Sequence, residues 1–157
     1  MQRKAKFLRF FYFALLLLWI AFIFSNSLRD ATASGAQSSA LLSKLNRILD
    51  WLHIPSFLHP THHFIRKCAH FTEYAILGIL TYGAVLQFRY TEFWGCIPAV
   101  GISFSIACTD EFLQHFSAGR SPQLSDALLD GTGAWTGILL LYLFACWMRK
   151  RQKRTKV

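Results

Sequence analysis

Four apolar runs set the limits on what this chain can become: residues 7–24, 71–88, 93–113 and 127–148. A helix needs about 20 residues to cross about 30 Å of hydrocarbon, and an open chain has no other economical way to satisfy its backbone there. The spacing predicts an all-α fold, a four-helix transmembrane bundle with spans at about 7–26, 70–88, 93–113 and 127–148. Composition agrees. Of the 157 residues, 54% are hydrophobic and 16% charged, with 15 Phe, 5 Trp and 5 Tyr, whereas a soluble domain is about 25% charged. Disorder, a collagen-like chain and a secreted disulfide scaffold are excluded. The length predicts one domain, residues 1–157, with no room for a soluble catalytic domain beside the membrane part. The first run has a basic start and a cleavage-like Ser25-Asn26-Ser27, but it is long and aromatic throughout, so it predicts a retained span rather than a removed leader.

The balance of 17 Lys+Arg against 8 Asp+Glu gives a formal charge of +9. Position matters more than the sum. Arg3, Lys4, Lys6 and Arg9 open the chain, and Arg149, Lys150, Arg151, Lys153, Arg154 and Lys156 close it. That is the pattern of spans anchored on a cytoplasmic face by anionic lipid, with a basic tail at 149–157, and not of a nucleic-acid groove. Both termini and the loop at 89–92 are expected to be cytoplasmic. Asp30, Asp50, Glu73, Asp110, Glu111, Asp126 and Asp130 then fall on the outer side or in the outer ends of spans, and Glu92 alone lies inside. Cys68, Cys96, Cys108 and Cys146 lack CxxC spacing, which argues against a thiolate metal site or a redox pair.

Between the first two spans, Leu41, Leu42, Leu45, Ile48, Leu49 and Leu52 recur at helical spacing. They predict an amphipathic helix, capped by Ser38 or Ser39, lying in the outer headgroup layer or packed over the bundle mouth. Pro55 and Pro60 break the chain after it. His53, His59, His62 and His63 are scattered there with no carboxylate at ligand spacing, so a metal role for them is not favoured.

Three stretches carry chemistry. Entering the second span, Arg66, His70 and Glu73 or Tyr74 share one helix face by the three-and-four rule, with Lys67 beside them. An imidazole and a carboxylate one turn into the bilayer cost several kcal/mol unless paired or facing water. The third span ends on Asp110, Glu111, Gln114 and His115. Asp110 and Gln114 share one face and Glu111 and His115 the next, able to hold a cation or to split into an acid and a base. Arg120 follows in a turn with Gly119, where a guanidinium can pair with carboxylates or fork onto a phosphate. The fourth span opens with Asp126 and Asp130 one turn apart, then Gly133 and Gly137, which permit close helix approach. The plainer alternatives also stand: a charge-neutralising lock for Glu73, a solvated terminus for Asp110 and Glu111, an interface anchor for Arg120, and simple packing for the glycines.

Together, RKCAHFTEYAILG (66–78), DEFLQHFSAGRSPQLSD (110–126) and DGTGAWTG (130–137) resemble the VanZ-like family of small membrane proteins, and FSNS (24–27) is similar to its Ser-containing segment after the first span. The resemblance covers nearly the whole chain and departs at Asp130, where the family more often carries Asn. It implies a bacterium and a multi-pass protein of the plasma (inner) membrane with a cell-envelope role, since the family's namesake is associated with resistance to the glycopeptide teicoplanin. It implies no reaction.

Two readings of function follow. In the first, a polar pocket at the outer interface binds an anionic lipid headgroup or a lipid-linked cell-wall precursor. Arg66, Lys67 and Arg120 meet the phosphate, and Glu73, Asp110, Glu111, Gln114, Asp126 and Asp130 orient those cations or bind sugar hydroxyls. In the second, a membrane-embedded hydrolase or transferase acts on lipid phosphates. His70 is its general base, Glu73 the orienter of His70, Glu111 a further acid-base group, and Asp110, Glu111 and Asp126 hold a divalent metal. No GxSxG, HExxH or Walker-type motif supports the second. A proton-coupled transporter is a third idea, weakened because four helices are few for alternating access without oligomerisation. The sequence leaves the oligomeric state open.

Overall fold

A computed structural model describes residues 2–28, 31–56, 59–88, 90–117 and 123–154. The described residues form five helices: α1 (Gln2–Ser27), α2 (Ala31–Trp51), α3 (His62–Leu86), α4 (Glu92–Gln114) and α5 (Leu124–Arg154). Among the described residues there is no strand. Three helices, over Lys6–Ser27, Glu92–Gln114 and Leu124–Arg154, are long and apolar enough to cross a membrane.

Helix α3, which carries the expected second span, falls outside that set. Its apolar run is interrupted by His70, Glu73 and Thr81. It packs against α1, α2, α4 and α5 and buries Tyr74, Leu77, Gly78, Thr81, Tyr82, Ala84 and Val85. Its neighbours turn large apolar side chains outward, among them Phe10, Leu17 and Leu18 on α1, Phe93 and Trp94 on α4, and Leu139, Leu140 and Phe144 on α5.

Side-chain links fix the directions of the helices. At one end the Arg9 guanidinium donates to the Gln87 carbonyl at 3.1 Å and lies 5.6 Å from the Phe88 ring centroid, while Arg149 pairs with Glu92. At the other end Asn26 donates to Glu73, and the Ser117 hydroxyl donates to the Ser27 carbonyl at 2.8 Å. Helices α1, α3, α4 and α5 therefore alternate in direction. The beginnings of α1 and α4 share an end with the finishes of α3 and α5.

Helices α3 and α5 meet backbone to backbone. A Cβ at Gly133 would stand 2.5 Å from the Phe71 carbonyl oxygen, and one at Gly137 would overlap the carbonyl oxygen of Ala75. Small residues at this spacing let dispersion and peptide dipoles act at short range where water cannot drive association. Leu16, Ile23, Tyr74, Leu77, Ala84, Ala107 and Ala134 fill the adjoining core.

Two boundaries differ from those the sequence predicts. Helix α2 begins at Ala31 and not at Ser38 or Ser39, so neither serine stands at the helix start. It ends at Trp51, where His53 takes a positive φ of 57° and Ile54 N–H closes onto the Leu49 carbonyl at 3.0 Å, ahead of Pro55. Of its apolar residues, Leu42 is buried while Leu41, Ile48 and Leu52 remain exposed, so the apolar stripe is wider than the contact with α3. Helix α5 runs on to Arg154 through much of the basic tail, with the Arg151 guanidinium 5.5 Å from the Trp147 ring centroid. Cations in a last turn complement the helix dipole.

Candidate functional site

The close α3–α5 crossing sets the register of the site. One helical turn from Gly133 and its contact with Phe71, Asp130 of α5 faces His70 of α3, with Nδ1 and Oδ2 3.5 Å apart. From α4, Asp110 enters the same space, its Oδ2 accepting from the Gln114 side-chain amide at 3.3 Å. One ligand-capable atom from each of His70, Asp110 and Asp130 lies within 4.8 Å of the others, and these three are the group able to hold a metal ion among the described residues. Asp110 and Asp130 are fully buried. Ser27 and Tyr74 face Asp110.

Donors stand around this cluster, Ser27, Tyr74 and Gln114 toward Asp110 and His70 toward Asp130. Among the described residues, Asp110 Oδ1, both Asp130 oxygens, Glu111 Oε1 and the Tyr74 hydroxyl are nevertheless buried without a partner at full hydrogen-bond geometry. An unsatisfied buried polar atom costs about 1–3 kcal/mol, and more when charged. At the rim Lys67 Nζ stands 3.7 Å from Asp126 Oδ1, with both side chains partly exposed.

Two further carboxylates are held at the edges. Glu73 is half-buried. Its Oε1 accepts from the Asn26 amide at 3.2 Å, and its backbone carbonyl accepts from the Trp19 indole N–H at 2.9 Å. Glu111 Oε2 accepts from the Gln123 backbone N–H at 3.0 Å, at the start of α5, where the helix leaves N–H groups unsatisfied and favours negative charge. Beside Glu111 an open groove of about 460 Å³ is lined by Cys108, Phe112, His115, Gln123, Leu124 and Ala127. Its walls are largely apolar, and Glu111 joins it to the polar cluster.

Of the expected site residues, the structure brings His70, Glu73, Asp110, Glu111, Gln114, Asp126, Asp130 and Lys67 to one end of the bundle. Arg66 is exposed at the start of α3, while Arg120 and Gly119 lie outside the described residues. The geometry adds a neighbour to those read from the sequence. The helix crossing brings Asp130 to 3.5 Å from the His70 imidazole, while Glu73 also acts on His70 through its charge. Among the described residues, His70, Asp110 and Asp130 are the grouping whose ligand atoms lie close enough to hold a cation. Glu111 is tied to Gln123, and Asp126 to Lys67. In the segment after α2, His59 Nε2 stands 3.7 Å from Asp50 Oδ1 and 3.1 Å from the Ile54 carbonyl, a single pair at a helix end.

Asn26, Ser27, Trp19 and Gln123 were not anticipated as members of the site. Asn26 and Ser27 left a signal, since polar residues close an otherwise apolar run. Nothing in the sequence marks the indole of Trp19 or the backbone N–H of Gln123.

A family model described as VanZ/LLP1 matches residues 10–145. No curated protein and no solved structure matches the chain.

Proposed function

The chain belongs to the VanZ/LLP1 family, and from that premise we propose that it is an integral membrane protein of the bacterial envelope that binds a lipid headgroup or a lipid-linked cell-wall precursor at the polar end of its bundle. In this reading α3 crosses as a fourth span inside the ring of α1, α4 and α5, and α2 lies along the outer interface. The basic termini are cytoplasmic, and the site faces outward.

The observation that carries the reading is the position of Glu111, which lines the apolar groove and is near enough to Asp110, Asp126 and Asp130 to interact with their charge. Such a junction suits an amphiphile. An acyl or isoprenoid chain fits along Phe112, Leu124 and Ala127, and the head lies among the carboxylates. Lys67, Arg66 and Arg120 supply cations for a phosphate. Glu73, Glu111, Asp126 and the buried aspartates accept from sugar hydroxyls or an amine.

Native mass spectrometry of the full chain with a polyprenyl phosphate tests this reading. The expected result is one retained lipid per chain, with retention lowered about tenfold or more by Lys67→Ala, Arg120→Ala or Glu111→Gln. Equal retention by all three variants would remove it. A part in glycopeptide tolerance is a further proposal resting on the family's namesake, tested by teicoplanin sensitivity on deletion and restoration of the gene.

A second reading, an enzyme acting on lipid phosphates, is favoured by the enclosed His70–Asp130 pair, in which the carboxylate orients the imidazole for proton transfer. Turnover of a panel of lipid phosphates that is lost in His70→Gln supports it. No turnover by folded protein excludes it.

A further inference from the structure

We infer that His70, Asp110 and Asp130 form a binding site for one divalent cation of the zinc type. The inference goes beyond lipid binding and does not depend on it.

The cluster has the composition of a metal site and lacks that of a self-contained ionic lock. Two fully buried carboxylates converge from different helices. Among the described residues, three of their four oxygens have no partner at full hydrogen-bond geometry, and Gln114 provides the donor to the fourth. A structural lock would put a Lys or Arg among them, but among the described residues Lys67 is engaged with Asp126 at the rim. A dication beside two carboxylates and a neutral imidazole gives a group of zero net charge, the arrangement that buried charge in a low-dielectric interior requires.

The donor set selects the ion. One imidazole nitrogen and two carboxylate oxygens suit zinc, with manganese next, whereas magnesium and calcium favour oxygen alone. No thiol belongs to the group of three. Metal–ligand bonds of about 2.0–2.2 Å in a tetrahedron place ligand atoms roughly 3.3 Å apart. The His70–Asp130 approach of 3.5 Å is already near that value. The other ligand atoms lie within 4.8 Å of one another, and Asp χ2 is a soft torsion through which carboxylate oxygens can approach an ion. Three protein ligands leave a coordination position open, as in zinc sites that also bind water or a phosphate oxygen. Glu73, fixed by Asn26, lies beside the imidazole as a neighbouring carboxylate.

The test uses the full chain, purified in detergent, stripped with a chelator and titrated with Zn²⁺, Mn²⁺ or Mg²⁺ in the absence of added lipid. The expected result is one tightly held Zn²⁺ per chain by elemental analysis, a visible absorption band on substitution with Co²⁺, and a Zn²⁺-dependent rise in the melting temperature. Asp110→Asn and Asp130→Asn keep the side-chain shape and should each weaken Zn²⁺ binding about 100-fold or more while leaving the helical circular dichroism unchanged. His59→Gln and Asp50→Asn, which probe the histidine-rich segment after α2, should leave binding as in the wild type. The inference is overturned if the wild type takes up no stoichiometric Zn²⁺, if uptake survives both Asp→Asn changes, or if His59→Gln removes it. Lipid retention measured on stripped protein fails or succeeds separately, so the two readings are told apart.

Discussion

His70 on α3 and Asp130 on α5 face each other at 3.5 Å across a crossing where the backbones of their helices touch. Neither position is close to the other in sequence. Their meeting depends on how far α5 can sink onto α3, which Gly133 and Gly137 decide. The packing of a featureless stretch of apolar helix thus sets the geometry of the polar site at its end.

Adding a methyl group to that crossing should open it. Gly137→Ala drives a Cβ into the Ala75 carbonyl, and Gly133→Ala does the same at Phe71. Overpacking costs about 1–3 kcal/mol and more against rigid backbone. Each variant should therefore lower the thermal midpoint in detergent and reduce lipid retention. Gly101, with open space around its Cβ position, is the contrast. Gly101→Ala should be neutral or stabilise by up to about 1 kcal/mol through helix propensity.

Asn26 holds Glu73 from a different helix. A hydrogen bond to a charged group contributes about 1.5–3 kcal/mol. Asn26→Ala should cost roughly that in an unfolding titration, and much less when Glu73 has already been changed to Gln. Equal costs in the two backgrounds would show that Asn26 acts elsewhere.

The alternating helix directions place the start of α4 at the end opposite the segment after α2. In a cysteine-free background, a single cysteine at Ser56 should react with an impermeant maleimide in intact cells. One at Thr91 should react only after permeabilisation. Equal labelling of both sites in intact cells would contradict four crossings, and the reverse pattern would invert the orientation.

How much of this was legible follows from what each feature depends on. The helices were readable because apolar length is a local property, and α1, α4 and α5 lie over the runs that predicted them. That Asp110, Asp130 and His70 belong together was readable as depth, since each sits near the same end of its run. Which carboxylate meets His70 was not, because helix rotation and approach are set by contacts between distant segments. Glu73, one turn along the same helix, was the neighbour that local spacing offers, and tertiary packing adds Asp130 at 3.5 Å. The start of α2 was misplaced for a related reason. Ser38 and Ser39 carry a cap's chemistry, but a cap matters only where the coil ends, and the helix continues back to Ala31.

The most direct test of the central claim, that residues from separate helices form one site, is a double-mutant cycle on unfolding free energy with His70→Gln and Asp130→Asn. The account predicts a coupling energy of about 1 kcal/mol or more, because removing either partner leaves the other buried without its neighbour. Additivity within about 0.3–0.5 kcal/mol, the behaviour of distant independent sites, would contradict it.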